Sequence, residues 1–248
     1  MSVTVLVGID DSHVGEMEVA WGSWRLNRAQ ILGERLMFVC DRAGGSWRDW
    51  SRRLSFCDHP EITAIMWDGD HLREQGADQR EVMLTGLVWA AARIKTTHYV
   101  KIDTDTVAVQ PGEWIDPEWT DETYAFTSHR WGYTRPSSFI SALDDWSETV
   151  PELAGGNPPV KSLPDNPRAR VRHRRIQSWF LLGTTRFARL VWGMIERGGG
   201  RMPCPSQDTI LWYVAERMGW PYQRVNLKAR GWDHGRHALK RWHRCDEK

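Results

Sequence analysis

Apolar residues along this chain fall into short β-branched runs that alternate with longer stretches at helical spacing. Residues 3–9 form the first run and stop at Asp10 and Asp11. Residues 16–32 follow, with Val19, Ala20, Trp24, Leu26 and Ile31 at roughly helical intervals. A second run, 35–41 (RLMFVCD), stops at Asp41, after which Trp47, Trp50, Leu54 and Cys57 step along one helical face. A third run, 62–67, stops at Asp68. An amphipathic helix over 78–94, marked by Val82, Leu84, Leu87, Val88, Ala91 and Ile94, then delivers the chain to a fourth run, 98–102. Strand and helix in alternation predict a mostly parallel sheet. Ligands of such sheets bind beyond the carboxyl ends of the strands. Acids stand at those ends here: Asp10, Asp11, Asp41, Asp68, Asp103 and Asp105.

The second half is less regular. Residues 123–128 read as a strand and 137–146 as a helix, whereas 150–167, with a Gly-Gly pair and five prolines, read as a loop. Residues 176–182 make a further strand. Thr184 caps a helix carrying Phe187, Leu190, Val191, Met194 and Ile195 on one stripe, which ends at residues 198–200. Ser206 is expected to cap another, with Ile210, Leu211, Val214 and Met218 inward, before a strand at 222–227. The expectation is one α/β domain with a mixed, mostly parallel central sheet flanked by helices. Residues 1–110 would form its regular half, 111–235 its less regular half, and 236–248 a basic tail.

Composition narrows the class. At 248 residues, 41% hydrophobic and 26% charged, the chain has an ordinary globular make-up and needs no covalent staples. No apolar run approaches the ~20 residues of a membrane span, and the start lacks a basic leader segment. Cys40, Cys57, Cys204 and Cys245 are far apart with no C-x-x-C pair, which argues against a zinc site and suits a reducing compartment. A soluble, cytoplasmic protein is expected. The net charge of +1 conceals a split. Residues 1–165 hold 15 Lys/Arg against 26 Asp/Glu, and residues 166–248 hold 18 against 6. The basic half points to an anionic partner, either cofactor phosphates or nucleic acid, or to attraction between the halves.

The strongest chemical signal is Tyr99-Val-Lys-Ile-Asp103-Thr-Asp105, an apolar strand that ends in two carboxylates one residue apart. Side chains at i and i+2 of an extended segment share a side, so both can face one cation. Mg²⁺ or Mn²⁺ suits oxygen ligands and would neutralise a departing diphosphate. An ordinary strand exit, where Asp is a common turn residue, is the competing reading.

The order of these segments resembles the GT-A glycosyltransferases. The chain has a first strand ending in Asp10-Asp11, a second ending in Asp41, a helix with Arg80 near its start, and then Asp103-Thr-Asp105. Later, Ser206-Gln-Asp208-Thr-Ile-Leu opens a helix after Phe180-Leu-Leu-Gly183, similar to their acceptor-side motif. Gly231-Trp-Asp-His234-Gly sits where several of them place a histidine on the metal. The resemblance implies that Asp103 and Asp105 hold Mn²⁺ or Mg²⁺ with His234, and that Asp10, Asp11, Asp41, Arg80 and Asp103 serve the nucleotide-sugar donor. It also implies that residues 1–110 are the nucleotide-sugar-binding half and 111–235 the acceptor and catalytic half, with Asp208 as the general base of an inverting transfer to an acceptor hydroxyl.

Arg168, Arg170, Arg172 and Arg174 recur at a period of two, so an extended backbone would show a row of guanidiniums. Such a row suits a lid over the donor diphosphate or, with Lys228, Arg230, Arg236, Lys240, Arg241 and Arg244, a surface for a nucleic-acid acceptor such as DNA. Solvated charge is the plain alternative. Trp131, Trp179, Trp232 and Trp242 offer faces for a sugar or base, with Trp179 assigned to the donor, although core packing accounts for most tryptophans. Two other functions compete. Ile102 to Val107 also resembles the nucleophile loop of haloacid-dehalogenase-type phosphatases, with Asp103 as nucleophile, Asp105 as acid/base and Ala125-Phe-Thr127 as a second motif; Lys161 is its poor lysine candidate. A non-catalytic nucleic-acid-binding protein is the other.

Overall fold

The computed structural model describes residues 3–113, 115, 124–127, 133–156, 159–160, 166, 168–173, 177–235, 237–240 and 242. Its first half repeats one unit three times: strand, helix on the sheet, next parallel strand. β1 (Val3–Ile9) leads through α1 (Val14–Asn27) to β2 (Arg35–Asp41), and α2 (Trp47–Arg53) leads to β3 (Ile62–Trp67). Then α3 (Asp70–Glu74) and α4 (Gln79–Ala91) lead to β4 (His98–Ile102). Polar caps start the helices where the apolar pattern begins. The Ser46 side chain accepts from the Asp49 amide in a reciprocal capping box, and Asp78 accepts from the Glu81 amide at 2.8 Å.

After β4 come β5 (Thr106–Ala108), β6 (Tyr124–Thr127), β7 (Tyr133–Pro136) and α5 (Ser137–Thr149). They are followed by β8 (Arg170–His173), β9 (Gln177–Thr184), α6 (Thr185–Arg197), α7 (Gln207–Met218), β10 (Tyr222–Val225) and β11 (Trp232–His234). The main sheet has the order β10-β6-β9-β4-β1-β2-β3. β1 pairs in parallel with β2 and β4, β2 with β3, and β6 with β10; β9 alone runs against its neighbours β4 and β6. The mixed, mostly parallel sheet expected from the sequence is therefore present. Two small ribbons, β5 with β11 and β7 with β8, were not foreseen.

Both sheet faces are covered, as a parallel sheet requires. Leu6, Val39, Tyr99 and Leu181 point to a core built with α4, α6 and α7, while Val5, Val7, Val100, Ile102 and Leu182 point to a core built with α1 and α2. Among helix starts, Thr184 caps α6 by accepting from the Phe187 amide, as expected. Ser206 stands at the N-cap position of α7 without capping it, because its hydroxyl is taken by Thr209 Oγ1 at 2.8 Å and by the Arg135 guanidinium at 3.2 Å. Leu26, placed by periodicity in the buried stripe of α1, is 68% exposed. The helix ends at Asn27, and Ile31 reaches the core from a separate turn at residues 29–33. Among the described residues no helix is long and apolar enough to cross a membrane. Cys40, Cys57 and Cys204 are buried free thiols, and burial pushes each up to about 12.

Close packing between α4 and β3 sets a testable limit. A Cβ on Gly86 would lie 2.7 Å from the Trp67 ring, which is itself wedged against Trp89, His71 and Trp192 and has nowhere to move. Gly22 in α1 is exposed with nothing within 4 Å. Gly22→Ala is expected to stabilise by ~0.5–1 kcal/mol through helix propensity. Gly86→Ala should destabilise by about 1–2 kcal/mol, because overpacking outweighs the same gain. Urea unfolding of the two variants checks the opposite signs.

Candidate metal centre

β4 is buried along its whole length and ends at Ile102, so the next residues emerge at the carboxyl edge of the sheet. The turn is held from both sides: the Asp103 amide donates to the Trp179 carbonyl of β9 at 2.9 Å, and the Thr106 amide donates to the Asp103 carbonyl at 3.1 Å. The Thr106 hydroxyl also donates to the Trp179 carbonyl, at 3.2 Å. Asp103 and Asp105 thus leave a backbone with no freedom to reorient.

His234 comes from the far end of the chain. β11 pairs antiparallel with β5, His234 opposite Thr106 and Asp233 opposite Val107, and the Gly235 amide donates to the Asp105 carbonyl at 3.0 Å. Gly231 and Gly235, at φ +80° and +92°, let the chain enter and leave this three-residue strand sharply. The result sets His234 Nε2 3.1 Å from Asp105 Oδ1 and 3.6 Å from Asp103 Oδ2. One ligand atom from each of Asp103, Asp105 and His234 lies within 4.8 Å of the other two. Two carboxylates and an imidazole converging in this way fit a divalent cation of the Mg²⁺ or Mn²⁺ type.

Charge around the cluster supports that fit. Burial alone would raise the Asp103 carboxyl. The charge of Lys101, which is almost fully buried on β4 and donates to Asp103 Oδ1, and hydrogen bonds from His234 and Lys101 hold it instead at about 2. For His234, burial would lower the pKa, and hydrogen bonds to Asp103 and Asp105 raise it to about 9. The two carboxylates thus favour the charged imidazole, as they would favour a cation between them. Lys101 escaped the sequence reading; a lysine inside an otherwise apolar strand, two residues before a carboxylate, was the available signal.

The other strand-end acids reach the same edge but are already paired. Asp10 accepts from the Ser12 amide at 2.9 Å and from His13 Nδ1 at 2.6 Å. Asp11 pairs with Arg53, and Asp68 with Arg42 at 3.0 Å. Asp41 is buried, bound by Arg73 and by Gln79 Nε2 at 2.7 Å. Arg80 is exposed and makes no hydrogen bond or ion pair with the described residues, so the cation beside Asp41 is Arg73. Glu16 of α1 approaches the metal loop, its carboxylate 3.5 Å from the Thr104 hydroxyl.

Asp208 is the second residue of α7. Arg201, just upstream, pairs with Glu81 in the first turn of α4, which puts the start of α7 at the same edge of the sheet as Asp103. Its neighbour Gln207, not singled out from the sequence, is buried with its amide oxygen unpartnered. Trp179 is buried, its ring stacked on His234, and Trp232 is buried against Phe180 and Arg28. Of the arginines at period two, Arg170 and Arg172 lie on β8, and Arg168 precedes it in a turn. Trp131, Lys161, Arg174, Arg236, Arg241 and Arg244 lie outside the described residues.

No family model and no curated protein sequence matches the chain. Solved structures do. Core-mannan synthase A (CmsA/Ktr4) from Aspergillus fumigatus, in a Mn/GDP form, superposes at TM-score 0.61 and 9% identity, covering 94% of this chain and 74% of its own. The mannosyltransferase Ktr4p from S. cerevisiae in complex with GDP gives 0.56 at 11% identity, covering 94% and 71%. The galactosyltransferase LgtC with donor and acceptor sugar analogs gives 0.50 at 10% identity, covering 90% and 73%. The fold is that of GT-A glycosyltransferases. Within this GT-A fold, the turn between β4 and β5 carries the acidic pair and β11, paired with β5, brings His234 to it.

The raised His234 pKa has a measurable consequence for the metal-free GT-A domain. A histidine whose folded pKa lies above its unfolded value of about 6.5 contributes stability that is complete below that value and is lost as pH rises through about 9. Thermal unfolding in EDTA should therefore show a midpoint that falls between pH 6.5 and 9. His234→Gln should flatten most of that fall, and an unchanged slope in the variant would contradict the assignment.

Proposed function

We propose that this protein is a metal-dependent glycosyltransferase, moving a sugar from a nucleoside-diphosphate donor to an acceptor hydroxyl. The observation that carries the proposal is the convergence of Asp103, Asp105 and His234 at the exposed end of a central strand within a GT-A fold. Those three residues would hold Mn²⁺ or Mg²⁺, and a bound divalent cation offsets the charge that builds on the departing diphosphate. Asp10 and Asp11 at the end of β1, and Asp41 with Arg73 and Gln79 at the end of β2, supply donors and acceptors for the base and ribose.

The transfer step assigns Asp208 as the base. Its carboxylate takes the proton of the acceptor hydroxyl, the acceptor oxygen attacks the anomeric carbon, and the bond from that carbon to the diphosphate oxygen breaks on the opposite face. The dipole of α7 also favours a carboxylate at Asp208, so the base assignment and a helix-end role differ in their kinetics alone. The acceptor reading favoured by the basic second half is a nucleic acid such as DNA; binding to a duplex that weakens steeply with salt supports it, and no binding at low salt removes it. The phosphatase alternative places its nucleophile on the first strand of the core, whereas Asp103 follows the fourth strand here and is clamped by Lys101.

A nucleotide held at about 100 times its Kd with Mn²⁺ adds ~2.7 kcal/mol, which for a chain of this size is a rise in Tm of roughly 5–10 °C. Screening GDP, UDP, CDP and TDP with and without Mn²⁺ should give such a shift for at least one, dependent on metal and absent in Asp105→Asn. No metal-dependent shift with any nucleotide would refute the proposal. Asp208→Asn should retain the donor shift and lower transfer ~10²–10⁴-fold; normal transfer by that variant would dismiss Asp208 as base.

A further inference from the structure

The orientation of a metal-ligating histidine is commonly fixed by a hydrogen bond from its second ring nitrogen to a carboxylate or carbonyl. His234 has none of these: among the described residues nothing hydrogen-bonds its Nδ1, and the ring is partly exposed. Yet Nε2 is aimed between Asp103 and Asp105. Against the face of the ring lies the indole of Trp179, whose centroid is 5.1 Å from that of the imidazole with 19° between their planes.

We propose that Trp179 is a positioning residue for the metal centre, setting the plane of the His234 ring by stacking. The inference rests on the reading of Asp103, Asp105 and His234 as metal ligands.

Three observations give the contact this role. The indole is itself 94% buried, so it is a fixed wall and not a mobile partner. Its backbone belongs to the same assembly as the carboxylates, since the Trp179 carbonyl accepts from the Asp103 amide and from the Thr106 hydroxyl. Ring and acids therefore move together. Lastly, an imidazole that is protonated or bound to a cation is electron-poor, and an aromatic face attracts it more strongly than it attracts a neutral ring. Without the indole, only the contacts of Nε2 with Asp103 and Asp105 would orient the ring about its Cβ–Cγ bond, and Nε2 would keep the line to the carboxylates for less of the time.

The test uses the full chain and Mn²⁺ alone, with free Mn²⁺ read by electron paramagnetic resonance. Trp179→Leu, which keeps an apolar filler but removes the flat face, should weaken Mn²⁺ binding about tenfold. Trp179→Phe should restore binding to within about threefold of the original. In a His234→Ala background Trp179→Leu should have no further effect, which a general loss of structure would not produce. A second measurement needs no variant at position 179: in the metal-free protein, the His234 ring protons, identified by their loss in His234→Ala, should be shifted upfield by the indole ring current. Unchanged Mn²⁺ affinity in Trp179→Leu, equal weakening in the His234→Ala background, or ordinary His234 shifts would each overturn the role of Trp179. Failure of the original protein to bind Mn²⁺ would overturn the metal reading itself.

Discussion

The open edge of β5 is the constraint on which the centre depends. A three-residue strand cannot hold a register alone, and β11 satisfies one of its sides. The other side meets a helix. Side chains of α1 stand in for the missing strand: Trp24 Nε1 donates to the Thr106 carbonyl at 2.7 Å and Asn27 Nδ2 to the Ala108 carbonyl at 2.7 Å. Ser23 Oγ accepts from the Ala108 amide at 3.0 Å, and the buried Arg28 guanidinium donates to the carbonyls of Gln110 and Arg230. Each such buried backbone group would cost ~1–3 kcal/mol if left unpaired. A slip of β5 by one residue would turn these groups away from α1, so its register is fixed. Because His234 is placed by pairing opposite Thr106, the helix that seems only to cover the sheet also determines where the histidine stands.

Exchangeable charge separates the metal centre from the acids around it. Asp11, Asp41 and Asp68 are matched by Arg53, Arg73 and Arg42, and a guanidinium does not give up its charge at any ordinary pH. Those pairs balance the charge at the strand ends within the protein itself. At Asp103 and Asp105 the balance is different. Lys101 compensates part of the charge from beneath, and the remainder falls to a proton on His234. A divalent cation held by the proposed ligands Asp103, Asp105 and His234 would take the place of that proton, since a ligating imidazole must be neutral.

Much of the fold was legible because its signals are local. Apolar runs such as residues 3–9 and 98–102 announce buried parallel strands, and the i, i+2 spacing of Asp103 and Asp105 survives any choice of fold. The pairings of the other acids were not legible, since Arg53 is 42 residues from Asp11 and Arg73 is 32 from Asp41. The sequence shows carboxylates at the strand ends but not the side chain that each will meet in the fold. β5 and β11 were missed for a related reason: three residues carry no periodicity, and the donors that stabilise β5 sit on a helix some 80 residues earlier. His234 was reached by resemblance, through its setting between Asp233 and Gly235. Its geometric logic lies instead in the pairing of Trp232, Asp233 and His234 with Ala108, Val107 and Thr106. Trp179 shows the same limit most sharply. Its richness in surface and its closeness to the basic segment suggest a platform for a ligand, but only the course of β9, antiparallel to β4, reveals that its neighbour is the imidazole at the opposite end of the chain.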